Sequence, residues 1–260
     1  MRNKLTAELA VCGFNAVKAA ADYHPEKINR LFLREDRLKF FSGLCGQLAE
    51  RKRPYKFCED EELERVCGSA HHQGVVAMIV EPVTEHLGRE DLETWAREKK
   101  TGIVLCSVGN DHNLGAIVRS AAFFDCSYVV IPADDPGACL STSSYRVAEG
   151  GMEHVTIRRT ENAAAFLKEA APFLLTIGTD VRARRRIRDL PGIVTEAKAG
   201  KTGGPERPGM VLVLGNEESG LPRAVKDACF VLLRIPGTGL MESLNVAQAA
   251  ALFLHEIYEL

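Results

Sequence analysis

Five short runs in the second half of the chain constrain its fold more than any other feature. They are Ile103–Val108, Tyr128–Pro132, Phe173–Gly178, Met210–Leu214 and Val231–Ile235. Each is too short to be a helix and apolar without alternation. A strand with one wet face alternates polar and apolar residues; a strand covered on both faces does not. The runs therefore predict a parallel sheet with helices on either side. Helical periodicity at Leu114–Phe124, Asn162–Ala171 and Leu244–Tyr258 supplies some of that cover. Polar, glycine-bearing loops follow three of these strands, where open parallel sheets bind ligands.

The first 80 residues form a smaller α/β pattern. Helices are predicted at Phe14–Tyr23, Leu38–Arg51 and Glu61–Cys67, and strands at Ile28–Leu33, Tyr55–Cys58 and Gly74–Val80. Glu81 to Lys100 carries Pro82 and many charges, so it reads as a linker, helical through Asp91–Lys99. The expected organisation is residues 1–82, a linker at 83–100, and 101–260. Asp180 to Pro208 breaks the strand and helix pattern and reads as a long loop, or one containing a short helix.

With 260 residues the chain is long enough for a substantial core. Its net charge of −2 gives no overall attraction to nucleic acid, although a local basic face can act alone. Eight cysteines lie scattered without a C-x-x-C pair, which argues against zinc and for free thiols in a reducing compartment. No apolar run nears the length of a membrane span and no leader segment is visible at the N-terminus. The expectation is a cytoplasmic chain with no membrane partner and no metal.

The three polar loops are NDHNLGAIVRS (110–120), LGNEESGLP (214–222) and IPGTGLMESLNVA (235–247). In the first, Asn113 is the expected N-cap of a helix whose apolar stripe leaves Arg119 facing elsewhere. Such an Arg is either a solvated surface residue or a bidentate contact for an anion. In the second, Gly215 and Gly220 let backbone approach a ligand, and Glu217 and Glu218 disfavour a phosphate. The segment is neither a P-loop nor G-x-G-x-x-G, which argues against nucleotide-dependent dehydrogenase chemistry. In the third, Ser243 is the expected N-cap of the last helix and Asn245 falls in its first turn.

Taken together these segments resemble the three motifs of the SpoU (TrmH) family of RNA ribose 2'-O-methyltransferases, within the SPOUT class. Asn113, Gly115, Ala116 and Arg119 match the first; Gly215, Glu217 and Gly220 the second; Ile235, Pro236, Ser243, Leu244, Asn245 and Val246 the third. CGFNAVKAA near the start and HHQGVVA at His71–Ala77 resemble the family's substrate-binding domain, which is similar to ribosomal protein L30e. Asn110 and Asp111 stand where many members have Asp-Pro, and Ala247 where a Ser is common.

The resemblance implies an α/β fold: a C-terminal trefoil-knot (SPOUT) domain with a smaller N-terminal L30e-like domain. It implies S-adenosyl-L-methionine as cofactor, held by Gly215, Ile235 and Leu244 with Asn216, Gly220 and Pro236. Arg119, Asn113, Glu217, Ser243 and Asn245 would line the catalytic site. Arg119 would act either as a base or as a phosphate clamp, the second being easier because guanidinium is hard to deprotonate. RNA is the implied partner, ribosomal more than transfer RNA, and a homodimer through the knot domain is implied as well. A catalytically inactive RNA-binding homologue is the alternative.

The basic residues Arg158, Arg159, Arg182, Arg184, Arg185, Arg186 and Arg188 are candidates for gripping RNA phosphates, or else a solvated charge run. Arg51, Lys52 and Arg53 form a second candidate patch. His72 and Gln73 are candidate RNA contacts, or plain structure; no third ligand stands near His71 and His72 to make a metal site.

Overall fold

The computed structural model describes residues 2–3, 7–134, 137, 139–199 and 208–260. The chain packs into two units.

The first unit is built on a five-stranded sheet. Its elements are β1 (Arg2–Asn3), β2 (Glu8–Cys12), α1 (Phe14–Tyr23), β3 (Ile28–Leu33), α2 (Leu38–Glu50), β4 (Tyr55–Phe57), α3 (Asp60–Cys67) and β5 (Val75–Val80). The strand order is β1-β2-β5-β3-β4, antiparallel except for β3 beside β4. The central strands are buried because their side chains are apolar on both faces: Leu9 through Cys12 and Val75 through Ala77 are all at 1% exposure or less.

The chain continues through β6 (Glu85–His86), α4 (Arg89–Arg97), β7 (Thr101–Leu105), α5 (Asp111–Phe123), β8 (Cys126–Pro132), α6 (Thr142–Ala148), β9 (Thr156–Thr160) and α7 (Ala163–Ala170). Then come β10 (Leu175–Thr179), β11 (Arg185–Arg186), α8 (Leu190–Ala199), β12 (Met210–Leu214), α9 (Arg223–Ala228), β13 (Val231–Arg234) and α10 (Val246–Tyr258). Eight of these strands form one sheet in the order β11-β13-β10-β12-β7-β8-β9-β6, every pair parallel. The expected parallel sheet is present, and β12 sits near its middle with all five residues buried.

Division by packing does not follow the chain. Residues Leu114–Arg119 of α5, and Cys139–His154 including α6, group with the N-terminal unit; Thr84–Asn113, Ser120–Ala138 and Val155–Leu260 form the second.

The segment expected to be a linker with a helix in it holds helix α4, and only the inner face of that helix is buried. Helix α4 buries Leu92 and Trp95 completely. The Trp95 indole lies where a side chain of residue 102 would be, since a Cβ on Gly102 would stand 2.1 Å from it. It stacks on Tyr128 at 4.7 Å between ring centroids, and its Nε1–H donates to the Lys100 carbonyl at 2.9 Å. Within α4 the charged residues occupy the outer face of an amphipathic helix.

Strands β1, β2, β6, β9 and β11 and helix α6 were not expected from the sequence. TIRRT in β9 alternates weakly and carries two arginines, and the Thr and two Ser that open TSSYRVA in α6 weaken its helical signal because they compete for backbone hydrogen bonds. Ser141 caps α6 instead, accepting from the Ser144 N–H at 3.2 Å. The stretch read as a long loop from Asp180 contains β11 and α8; residues 200–207 lie outside the described residues.

Candidate functional site

The site lies at the ends of the strands of the second unit. Strand β12 runs out at Leu214, and the chain turns through Gly215 to Gly220. Asn216 organises that turn. Its Oδ1 accepts from the N–H groups of Glu218 and Ser219 at 2.9 and 3.0 Å and from the Ser219 hydroxyl at 3.2 Å. Its Nδ2 donates to the Ser107 carbonyl at 2.9 Å, which ties the turn to the loop after β7. The Asn216 carbonyl accepts from the Gly220 N–H at 3.0 Å. A Cβ on Gly215 would stand 2.6 Å from the Gly220 carbonyl carbon, so the strand must end here in bare backbone.

Asn110 caps α5, accepting from the His112 N–H at 2.8 Å, and Asn113 is therefore inside the helix and not its cap. Two asparagines three positions apart both suit an N-cap; the helix starts at the earlier one. At the last helix the correction runs the other way. Asn245, not Ser243, caps α10, its Oδ1 accepting from the Ala247 N–H at 2.9 Å. Asn113 and Ser243 are thereby freed from capping and Asn110 and Asn245 recruited to it, which changes what each side chain can do.

The freed Asn113 joins the three loops. Its Nδ2 donates to Glu217 Oε1 at 2.5 Å, and its Oδ1 accepts from Asn245 Nδ2 at 3.1 Å. The hydrogen bonds run in one direction, from the Ala247 N–H through Asn245 and Asn113 to a carboxylate. An ionised carboxylate only accepts, so Glu217 at the end of the series fixes the orientation of both amides. Asn113 is half-buried, while Glu217 and Asn245 are exposed, so the row borders solvent.

The other candidate residues distribute as follows. Gly215, Asn216, Gly220 and Ile235 are half-buried, and Pro236, Ser243 and Leu244 are exposed. Leu240 and Met241 in the same loop are 88% and 80% exposed, an unusual placement for side chains of that size. Arg119 is exposed on α5 and makes no hydrogen bond or ion pair among the described residues.

Within the basic segment, Arg182, Arg184 and Arg185 are exposed and Arg186 half-buried. Arg185 donates to Glu196 at 2.8 Å and Arg158 pairs with Glu85 at 3.2 Å, so neither is a free charge. Asp180 anchors the segment, accepting from the Arg182 N–H at 2.8 Å and pairing with Lys226 at 2.7 Å. Burial pushes the Asp180 carboxyl up, but Lys226 and the Arg182 N–H outweigh it and hold it below its ordinary value.

In the N-terminal unit His72 is 5% exposed, and its Nδ1 accepts from the Gly74 N–H at 3.1 Å. That is a structural post inside a turn. Gln73 is exposed, and its Oε1 accepts from the Phe14 N–H at 2.7 Å, supplying the cap that Gly13 cannot give α1. Arg53 is consumed in the same way, donating to the carbonyls of Glu26 and Ile28 at 2.7 and 2.6 Å.

Sequence reasoning missed the cap role of Asn110 and the fixing of Ser107 by Asn216. An Asn two residues before a helical position is a signal for the first; nothing local signals the second, a contact across 109 positions.

Among the described residues no cluster of His, Cys, Asp and Glu could hold a metal ion, and no helix is long and apolar enough to cross a membrane.

Comparison with known proteins converges on one group. The family model described as SpoU rRNA Methylase family matches residues 100–255, and that described as RNA 2'-O ribose methyltransferase substrate binding matches residues 10–84. The chain is 30% identical over 256 residues to the 23S rRNA (guanosine-2'-O-)-methyltransferase RlmB of Nitrosomonas europaea, covering 98% of this chain and 92% of that protein. Its fold is similar to the AdoMet-bound rRNA methyltransferase from Sinorhizobium meliloti, with a TM-score of 0.75 at 20% identity over 98% of this chain and 88% of that one. It is also similar to AviRb from Streptomyces viridochromogenes in complex with AdoMet, with a TM-score of 0.73 at 21% identity over 100% of this chain and 93% of that one. With its family model matching residues 100–255, the chain belongs to the SpoU rRNA Methylase family.

Proposed function

We propose that the chain transfers a methyl group from S-adenosyl-L-methionine to a ribose 2'-hydroxyl of RNA, with ribosomal RNA as the favoured substrate. The hydrogen-bonded series Asn245–Asn113–Glu217 carries this reading, because it ties all three family motifs into one place. The guanosine-directed ribosomal RNA enzyme named among the relatives supports the choice of substrate.

The residues present suit the cofactor. At Gly215 no side chain fits because the Gly220–Leu221 backbone packs there, so the end of β12 meets the turn as bare backbone. Exposed Leu240, Met241 and Leu244 offer apolar contact to an adenine ring, and Glu217 and Glu218 favour a cation over a phosphate. Gly215, Asn216, Gly220, Ile235, Pro236 and Leu244 would hold it. When bound, it supplies an electrophilic methyl on a positively charged sulfur.

The protein's share is positioning and charge. Asn113 and Asn245 hold Glu217 in one place, and Ser243 lies beside them in sequence. Arg119 clamps the phosphate next to the reacting ribose and aligns the hydroxyl, a role guanidinium fills without losing a proton. Six residues after Asn113, Arg119 sits on another face of α5, about 240° around and about 9 Å along a regular helix. A homodimer resolves that divergence by letting one protomer's Arg119 serve its partner's loops. An exposed aromatic face fits a dimer contact: Phe123 is 80% exposed, Tyr258 and Leu252 are also exposed, and Phe124 packs edge-on against His255. The α/β knot, contact of Arg182, Arg184, Arg185 and Arg186 with RNA, and a cytoplasmic location belong to the same reading.

Incubating the chain with labelled S-adenosylmethionine and separate ribosomal and transfer RNA tests it. Label in ribose 2'-O-methyl nucleotides of ribosomal RNA is expected. Cofactor binding without transfer to either RNA would favour the inactive RNA-binding alternative.

A further inference from the structure

The N-terminal unit has a cleft of its own, enclosing about 160 Å³ at the start of α1. Asn15, Ala16, His71, Gln73, Arg146 and Glu149 line it, brought from three separate stretches of chain within that one unit. None of them belongs to the three loops of the family site.

The hydrogen-bonding capacity left over inside the cleft is specific. Gln73 Oε1 is occupied by the Phe14 N–H, which leaves its Nε2 as a donor. Asn15 Nδ2 donates to Glu149 Oε2 at 2.6 Å, which leaves Glu149 Oε1 and Asn15 Oδ1 as acceptors. The Arg146 guanidinium makes no hydrogen bond or ion pair among the described residues, although Glu149 follows it by three positions. Glu149 is held away by its backbone. It takes a left-handed conformation at φ 52°, and Gly150 after it, at φ 95°, sits so close to α1 that a Cβ would stand 2.8 Å from the Ala19 methyl.

A carboxylate and a guanidinium that line one cleft without pairing suit a ligand with a donor edge and an acceptor edge. A bare phosphate would meet Glu149, and a bare cation would meet Arg146. Among RNA bases, guanine presents two adjacent donors, N1–H and N2–H2, and two adjacent acceptors, O6 and N7. Adenine, cytosine and uracil each offer a single donor group with acceptors beside it. The His71 imidazole and the Ala16 methyl provide surfaces for the ring face, as unpaired bases require.

We propose that this cleft holds one unpaired guanine base of the RNA, Glu149 accepting from N1–H and N2–H2 and Arg146 donating to O6 and N7. The assignment rests on the reading of the chain as an RNA-directed enzyme.

The test uses the full chain, uridine-rich RNA pentamers with a central G or A, and guanosine monophosphate, with binding read by fluorescence anisotropy or competition. The G pentamer is expected to bind about tenfold or more tightly than the A pentamer. Glu149→Gln keeps an acceptor for Asn15 but not the carboxylate, and is expected to erase the preference; Arg146→Ala is expected to weaken binding of the G pentamer. Unchanged thermal unfolding of both variants keeps the comparison clean. Equal or undetectable binding of the two pentamers by the natural chain overturns the proposal, as does a preference that survives Glu149→Gln. Guanosine monophosphate binding more tightly than the pentamer overturns the RNA source. Methyl transfer and cofactor binding, measured on the same samples, report on the proposed function separately: loss of transfer to every RNA with the G preference intact would sink that reading alone.

Discussion

The Asn113 side-chain amide donates to the Glu217 carboxylate at 2.5 Å across 104 positions of sequence. The bond is possible because α5 begins at Asn110, which leaves Asn113 free of capping duty. Asn113→Ala removes this bond and the one from Asn245 together. Because the row borders solvent, the stability cost should be modest, about 1 kcal/mol by urea unfolding. Methyl transfer should fall by roughly 100-fold, as for loss of an organising polar group. A variant with full transfer would show that the row is structural only.

Arg119→Ala is expected to leave stability within about 0.5 kcal/mol, since the side chain is exposed and unpaired among the described residues. Transfer should be lost while cofactor affinity by calorimetry is kept. Parallel loss of cofactor affinity would contradict the phosphate-clamp role.

Gly215→Ala should act in the opposite order. The new methyl would press on the Gly220 backbone, which cannot swing aside as a side chain can. A destabilisation of about 1–3 kcal/mol is expected from such overpacking. Cofactor affinity should fall with it, and thermal unfolding with calorimetry measures both.

Asp180 gives the chain a pH dependence. Its carboxyl is held below the ordinary value of 3.8 despite burial, chiefly through Lys226 and the Arg182 N–H. The folded state therefore binds its proton less readily than the unfolded state. The stabilisation is present in full above 3.8 and is lost as pH falls through the lower folded value. Asp180→Asn should cost about 1 kcal/mol at neutral pH, and the difference should shrink as pH falls below 3.8 and the folded carboxyl takes up its proton. A cost that persists in acid would assign the effect to packing.

Phe123→Asp places a charge in the exposed aromatic face beside Phe124. Sedimentation is expected to move from dimer to monomer, with transfer falling in step. A monomeric natural chain would remove the dimer from the proposed function.

What could be read from the sequence follows from how local each cause is. Helix α1 and strands β3 and β12 have the expected ends, because side-chain pattern and flanking breakers coincide there. Helix α4 was legible as a charged helix, but the tertiary fact that buries its inner face, an indole filling the place of a side chain on Gly102, leaves no mark near residue 95. Strand β9 is paired on both sides, with β8 and β6, and is held by neighbours and not by its own apolar content. At the site the three motifs were legible as types and spacings. The roles of Asn110, Asn113, Ser243 and Asn245 were not, since a one-turn shift in a helix start exchanges a cap for a free amide.

Trp95 is the sole tryptophan of the chain, and it is sealed inside the parallel-sheet unit. Its emission is therefore a built-in reporter for that half alone. Loosening of the N-terminal half would pass unseen in fluorescence yet appear in circular dichroism. Comparing the two signals during denaturation can establish, without any label, whether the halves melt together or in sequence.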